Sequence, residues 1–189
     1  MKWINTQLKD VMIFSPRKFI DERGFFMETL RQDTFSDAFT QNNLDVPQLV
    51  QENQSRSINN VLRGLHFQQH FPQGKLIRVA RGSIFDVAVD IRQGSTTYGQ
   101  WIGQEISDEN GYQMWIPAGF AHGFYVLSDI ADVIYKCSQY YRPDDDQTIA
   151  WNDPVLNIQW PLKQHLAPLV SDKDNPMLNP KVISFGLKQ

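Results

Sequence analysis

One cysteine, Cys137, stands in 189 residues, so the chain cannot close a disulfide on itself and holds no Cys-x-x-Cys metal pattern. Long apolar runs are missing too, none approaching the length that crosses a bilayer. The opening Met1–Lys2–Trp3–Ile4–Asn5 has no apolar signal segment. A cytoplasmic protein without a membrane partner is the expectation. Basic charge is scarce: 18 Lys and Arg against 21 Asp and Glu leave a net charge of -3. That speaks against a nucleic-acid partner, which calls for a basic face, but leaves room for a local cationic site that holds one small anion. No GxGxxG opens a βαβ unit, so no dinucleotide fold is indicated. No repeat, low-complexity tract or linker divides the chain, and residues 1–189 are expected to form one domain with a sizeable core.

What is present is β pattern. Asp33–Asn42 reads as one short helix, and from Leu49 to about Trp151 the signals are those of strands. In Ser83–Ile91, Phe85, Val87, Val89 and Ile91 alternate with Asp86, Ala88 and Asp90, the period of a half-buried strand. Gly82 marks a turn before it and Gln93–Gly94–Ser95 one after it. Asp108–Glu109–Asn110–Gly111 between two strand-like runs predicts a hairpin. The tail turns acidic at Pro143–Gln147, then irregular and aromatic over Trp151–Pro161, with a helical turn at Ser171–Leu178. Many short strands with little helix between them predict an all-β antiparallel sandwich or barrel with a few short peripheral helices.

Several polar residues sit oddly in this pattern. Gln51, Asn53 and Ser55 share one strand face, either the lining of a wet cavity or an exposed edge. By parity His66 shares a face with Leu62, Gly64 and Gln68, and Lys75 with Ile77 and Val79, so polar groups point where apolar neighbours also point. A lone histidine there is ordinarily a satisfied core residue. An inward lysine is harder to explain, because burying its charge is costly without an anion to meet it. Tyr135 shares the inward face of its strand with Ala131, Val133 and Cys137, while Asp132 and Lys136 should face solvent. A buried tyrosine with a bonded hydroxyl is the plain reading, and a general acid looks the same. Ser171–Asp172–Lys173–Asp174 fits a helix cap, or Asp174 could orient a histidine from the barrel.

Pro117–Ala118–Gly119–Phe120–Ala121–His122 resembles the second motif of the cupin superfamily, whose fold is a double-stranded β-helix or jelly roll. Metal-binding cupins pair that histidine with an earlier His-x-His and a carboxylate. Here the first motif reads His66–Phe67–Gln68 and no glutamate follows at the expected distance, so no metal site is expected.

The resemblance widens when the segments are taken together. Asp21–Glu28, Gln51–Ser55, Leu62–Gln68, Gln73–Lys75, Phe85–Asp90 and Trp115–Phe124 are similar to the signature segments of the dTDP-4-dehydrorhamnose 3,5-epimerases, in that family's order and spacing, from about Val11 to Asp174. The resemblance implies a cupin-type jelly-roll barrel and a cofactor-independent epimerase acting on a dTDP-sugar in L-rhamnose biosynthesis. It implies His66 as the base, Asp174 as its paired carboxylate, Tyr135 as the acid across the sugar, and Lys75 beside the enolate oxygen. Arg23, Phe26, Glu28, Gln51, Asn53, Arg63 and His122 match positions near the nucleotide, its phosphates or the sugar, and Tyr141 a position that holds the nucleotide. Arg63 lies on the opposite parity to His66, so its role requires a bulge near Gly64. Gln54 and Phe67 stand where histidine and tyrosine are more usual, which bears on fine substrate preference. Family members pair as homodimers in which an N-terminal strand crosses over, so Arg23, Phe26 and Glu28 would complete the neighbouring site.

These residue types suit the chemistry. A 4-keto group acidifies the protons at C3 and C5, and inversion removes a proton from one face and returns one to the other. Histidine ordinarily titrates near neutrality, a carboxylate fixes its tautomer, and a lysine stabilises enolate charge in a water-poor pocket. A C3- or C5-only epimerase shares every motif. A metal-dependent cupin oxygenase and a non-catalytic sugar-binding cupin are the rivals from other classes.

Overall fold

The computed structural model describes residues 1–186. In chain order the strands are β1 (Lys2–Asn5), β2 (Met12–Ser15), β3 (Lys18–Asp21), β4 (Gly24–Met27), β5 (Gln51–Ile58), β6 (Leu62–Gln68) and β7 (Lys75–Arg81). There follow β8 (Ser83–Asp90), β9 (Trp101–Ser107), β10 (Gln113–Ile116), β11 (Phe120–Val126), β12 (Ile130–Cys137), β13 (Asp146–Ile149) and β14 (Val182–Ile183). Helix α1 covers Gln32–Gln41, one residue earlier at each end than the sequence pattern suggests. One six-stranded sheet has the order β1-β2-β10-β7-β12-β5, and a second has β14-β13-β6-β11-β8-β9. The chain passes back and forth between the two, giving the jelly roll expected from the motifs. A separate hairpin, β3-β4, carries Arg23 in its turn. No helix among the described residues is long and apolar enough to cross a membrane.

Three apolar layers hold this together. Between the sheets lie Ile77, Val79, Ile84, Ala88, Met114, Phe124, Val126 and Val133. Outside the first sheet, α1 presents Phe35, Ala38 and Phe39 at helical spacing to Phe14, Leu76 and Trp115. Phe39 and Trp115 meet edge to face with ring centroids 5.1 Å apart. Outside the second sheet, the irregular tail lays Leu156, Trp160 and Phe185 over Leu65, Val87 and Val89.

That outer layer corrects one expectation. Ser83–Ile91 is not half-buried: β8 packs Val87 and Val89 against the tail and Ile84, Asp86 and Ala88 against the barrel interior, so both faces are covered. A second correction concerns Asp108–Gly111. The turn is present, with Gly111 at φ 65°, but it joins β9 of one sheet to β10 of the other rather than closing a hairpin. The third is Asp132, which does not face solvent. It is 6% exposed, capped by the Arg56 guanidinium at 2.7 Å.

The bulge that Arg63 requires is there. His122 pairs with His66 and Phe124 with Arg63, so β6 carries one residue more than β11 between those pairs. Gly64, at φ 114°, occupies the irregularity, and a Cβ on it would stand 2.6 Å from Gly123 Cα.

Candidate active site

Inward positions of the barrel change character along each strand. On β7 they run Val79, Ile77, Lys75. On β11 they run Val126, Phe124, His122. The apolar half of the barrel is filled, and the polar half leaves a cavity of about 280 Å³. Gln51, Asn53, Arg63, His66, Lys75, His122, Tyr135 and Tyr141 all line it. The strand bearing Gln51, Asn53 and Ser55 satisfies both readings of its pattern: β5 is the edge of its sheet, and its polar inner face lines the cavity.

Asp174 reaches this cavity from the tail. It sits in a short 3-10 turn, Asp172–Asp174, whose N-terminal Ser171 makes no side-chain cap. Its carboxylate instead places Oδ1 2.6 Å from Nε2 of His66, while Oδ2 accepts from the Gly64 N–H at 3.3 Å. Desolvation pushes the Asp174 carboxyl upward, but His66, the Gly64 N–H and Lys173 together hold it below the ordinary carboxylate value. An ionised partner on Nε2 leaves Nδ1 as the basic nitrogen of His66.

Tyr135 faces this pair from the other sheet. Its hydroxyl makes no hydrogen bond among the described residues, so the plain reading of a satisfied core tyrosine does not hold, and burial raises its pKa. Lys75, also in the first sheet, is half-buried, and its ammonium has no hydrogen-bond partner among the described residues. Desolvation lowers its pKa against the pull of Cys137, Asp146 and Asp86. The cavity therefore presents a histidine–carboxylate pair on one wall and an unpartnered phenol and ammonium on the other. That arrangement can take a proton from one side of a bound molecule, hold negative charge in the middle, and return a proton from the opposite side.

The rest of the lining is built for holding. Arg63 donates from Nε to Ser57 Oγ at 3.0 Å, which fixes its guanidinium at the rim. Gln51 and Asn53 bond to each other at 2.9 Å. The backbone of Tyr141 donates to Gln51, and its hydroxyl donates to Asp146 Oδ2 at 3.0 Å. His122 is joined by Nε2 to Asp86 Oδ1 at 2.7 Å. Arg23, Phe26 and Glu28 are exposed and do not line the cavity of their own chain. Among the described residues no three His, Cys, Asp or Glu side chains are grouped to hold a metal ion.

Asp146, Lys173 and Gln73 are among the lining residues that the sequence did not single out. Asp146 and Lys173 form an ion pair at the mouth, and Gln73 anchors its loop by donating to the Gln139 carbonyl at 2.7 Å. Lys173 is the sequence neighbour of Asp174, and that adjacency is the signal by which it could have been found.

Comparison with known proteins shows the family of the chain. The family model described as dTDP-4-dehydrorhamnose 3,5-epimerase matches residues 5–180. A relative of that name from Neisseria gonorrhoeae is 52% identical over 92% of this chain, which spans 51% of the relative's length. Another from Pseudomonas aeruginosa is 51% identical, with 92% of this chain and 93% of the relative covered. A crystal structure of dTDP-6-deoxy-D-glucose-3,5-epimerase from Legionella pneumophila, in complex with dTDP-4-keto-L-rhamnose, superposes with a TM-score of 0.85. It is 48% identical, with 92% and 89% of the two chains covered. The chain belongs to the dTDP-4-dehydrorhamnose 3,5-epimerase family.

Proposed function

We propose that the protein epimerises dTDP-4-dehydro-6-deoxy-D-glucose at C3 and C5, forming dTDP-4-dehydro-L-rhamnose for L-rhamnose biosynthesis. The observation that carries the reading is the His66–Asp174 pair on one wall of the cavity facing the unbonded Tyr135 hydroxyl and Lys75 ammonium on the other. His66 Nδ1 takes the proton next to the ketone, and Asp174 stabilises the imidazolium that forms. The electrons of the broken C–H bond pass to the carbonyl oxygen, where Lys75 meets the enolate charge. Tyr135 returns a proton to the carbon from the opposite face. The substrate arrives already oxidised, so the cycle needs neither redox cofactor nor metal. Arg63 and the other polar lining groups would hold the diphosphate and sugar through paired hydrogen bonds, and Tyr141, with Gln51 and Asn53 beside it, the nucleotide.

The working unit in this reading is a homodimer of one-domain chains in the cytoplasm, a setting suited to the single buried thiol of Cys137. Hairpin β3-β4 supports the pairing. It exposes Ile20, Phe25 and Phe26, the last at 69%, as an apolar surface. Crossing to the neighbour would cover it and bring Arg23, Phe26 and Glu28 to the second cavity.

Protein dialysed against a chelator and incubated with the 4-keto sugar nucleotide alone should yield dTDP-4-dehydro-L-rhamnose by NMR. Binding without conversion would point to a sugar-binding module, and loss of activity with the removed iron to an oxygenase.

A further inference from the structure

His122 and Asp86 lie outside the proposed proton-transfer set, yet they are the most deeply buried ionisable pair at the cavity. Asp86 is 0% exposed and His122 8%. Asp86 Oδ1 lies 2.7 Å from His122 Nε2, and its other oxygen, Oδ2, is buried without a partner among the described residues. A carboxylate buried with one oxygen unsatisfied weakens a fold, and apolar residues of that size would pack the barrel better. The pair therefore needs an explanation in the cavity it borders.

The strands place the ring there. His122 is the cross-strand neighbour of His66 on β6 and of Ala88 on β8, and it lines the cavity. Nε2 is committed to Asp86, while Nδ1 makes no hydrogen bond to the described residues. The titratable groups that face the pair are Lys75 and His66. Burial and the Lys75 ammonium both disfavour a charged His122. Burial raises the Asp86 pKa above its ordinary value, while the His122 contact and the Lys75 ammonium pull the other way and favour the ionised carboxylate. A carboxylate only accepts, and a neutral imidazole has one donor and one acceptor nitrogen.

We infer that Asp86 is a positioning residue that locks His122 in the Nε2–H tautomer, so that Nδ1 offers a hydrogen-bond acceptor to a hydroxyl of the bound hexose. The inference rests on the reading that this cavity holds a keto sugar. It adds a directional rule. A ketone oxygen, itself an acceptor, is turned away from Nδ1 and towards the Lys75 ammonium, while a hydroxyl is drawn to His122. Two groups of opposite hydrogen-bonding sense thus set which way round the ring lies.

The tautomer is read directly from long-range proton–nitrogen NMR spectra of the unliganded protein with labelled histidine, near neutral pH. The chain has only four histidines, and the His122 ring is assigned in the wild type by its nuclear Overhauser contacts to its strand neighbours, Ala88 among them. The expected result is a neutral His122 with its proton on Nε2. A proton on Nδ1, or on both nitrogens, overturns the inference without requiring that any variant fold. Asp86→Asn can donate to Nε2 as well as accept from it, so it should release the tautomer and lower kcat/KM about tenfold, the scale of one hydrogen bond. Asp86→Glu, keeping the carboxylate, should recover the Nε2–H form. An Asp86→Asn protein with an unchanged tautomer and unchanged kcat/KM also overturns it. Absence of turnover in the wild type would instead count against the epimerase reading, since the tautomer is measured without substrate.

Discussion

His66 and Asp174 are 108 residues apart in the chain and 2.6 Å apart in the barrel, joined through Nε2 and Oδ1. The contact brings the irregular tail to the strand that carries the proposed base. It leaves Nδ1 of His66 as the nitrogen available to a substrate.

Removing that nitrogen should nearly abolish turnover. His66→Ala is expected to lower kcat by about 10³-fold or more, within the range of general-base catalysis. Asp174→Asn should cost about as much, because an amide can hold the ring in the wrong tautomer. Initial rates on the keto sugar nucleotide check both. A His66→Ala enzyme with most of its activity would remove His66 from the role of base.

Asp174 should also leave a mark on stability. Its folded pKa is depressed, so its contribution is fully present above the ordinary value of about 3.9 and is lost as pH falls through the folded value. Urea unfolding of wild type and Asp174→Asn should therefore differ at pH 7, with the wild type more stable. The gap should shrink below pH ~4. A constant gap across that range would mean that the carboxylate is not the stabilising species.

On the opposite wall, Tyr135→Phe should slow proton return at one or both carbons, by about 10²-fold if the phenol is the sole acid. Product ratios by NMR report it, and an unchanged rate and ratio would exclude the role. Lys75→Met keeps the length of the side chain and removes the charge. It should lower kcat about 10²–10³-fold, the scale for losing one oxyanion donor, with a smaller change in KM. A change confined to KM would make Lys75 a binding residue only.

Complementation tests the crossing hairpin. Arg23→Ala and His66→Ala homodimers should each be weak, but mixed and allowed to exchange they should recover activity, because one site of a heterodimer then carries both native residues. No recovery, with exchange verified by mass, would leave Arg23 outside the neighbouring site.

Much of this site was legible wherever strand parity alone decides direction. Lys75 and Tyr135 point inward as their apolar neighbours do, and the polar face of Gln51, Asn53 and Ser55 lines the cavity. Parity failed where the backbone or a second layer intervened. Arg63 needed the irregularity at Gly64, which the family resemblance demanded and alternation did not contain. Asp86 and Asp132 became buried because a histidine and an arginine meet them from neighbouring strands, pairings set by register rather than local sequence. Asp146 and Lys173 depend on how the tail docks, as does the covered outer face of β8. The turn at Asp108–Gly111 has the chemistry of a hairpin, but its flanking strands found partners in different sheets.

The most direct test is solvent exchange: incubate the protein in D2O with dTDP-4-dehydro-6-deoxy-D-glucose and locate deuterium by NMR. Deuterium at both C3 and C5, with dTDP-4-dehydro-L-rhamnose formed, is the predicted result. Deuterium at one carbon alone would contradict the double epimerisation, and none at either would contradict proton transfer at this site altogether.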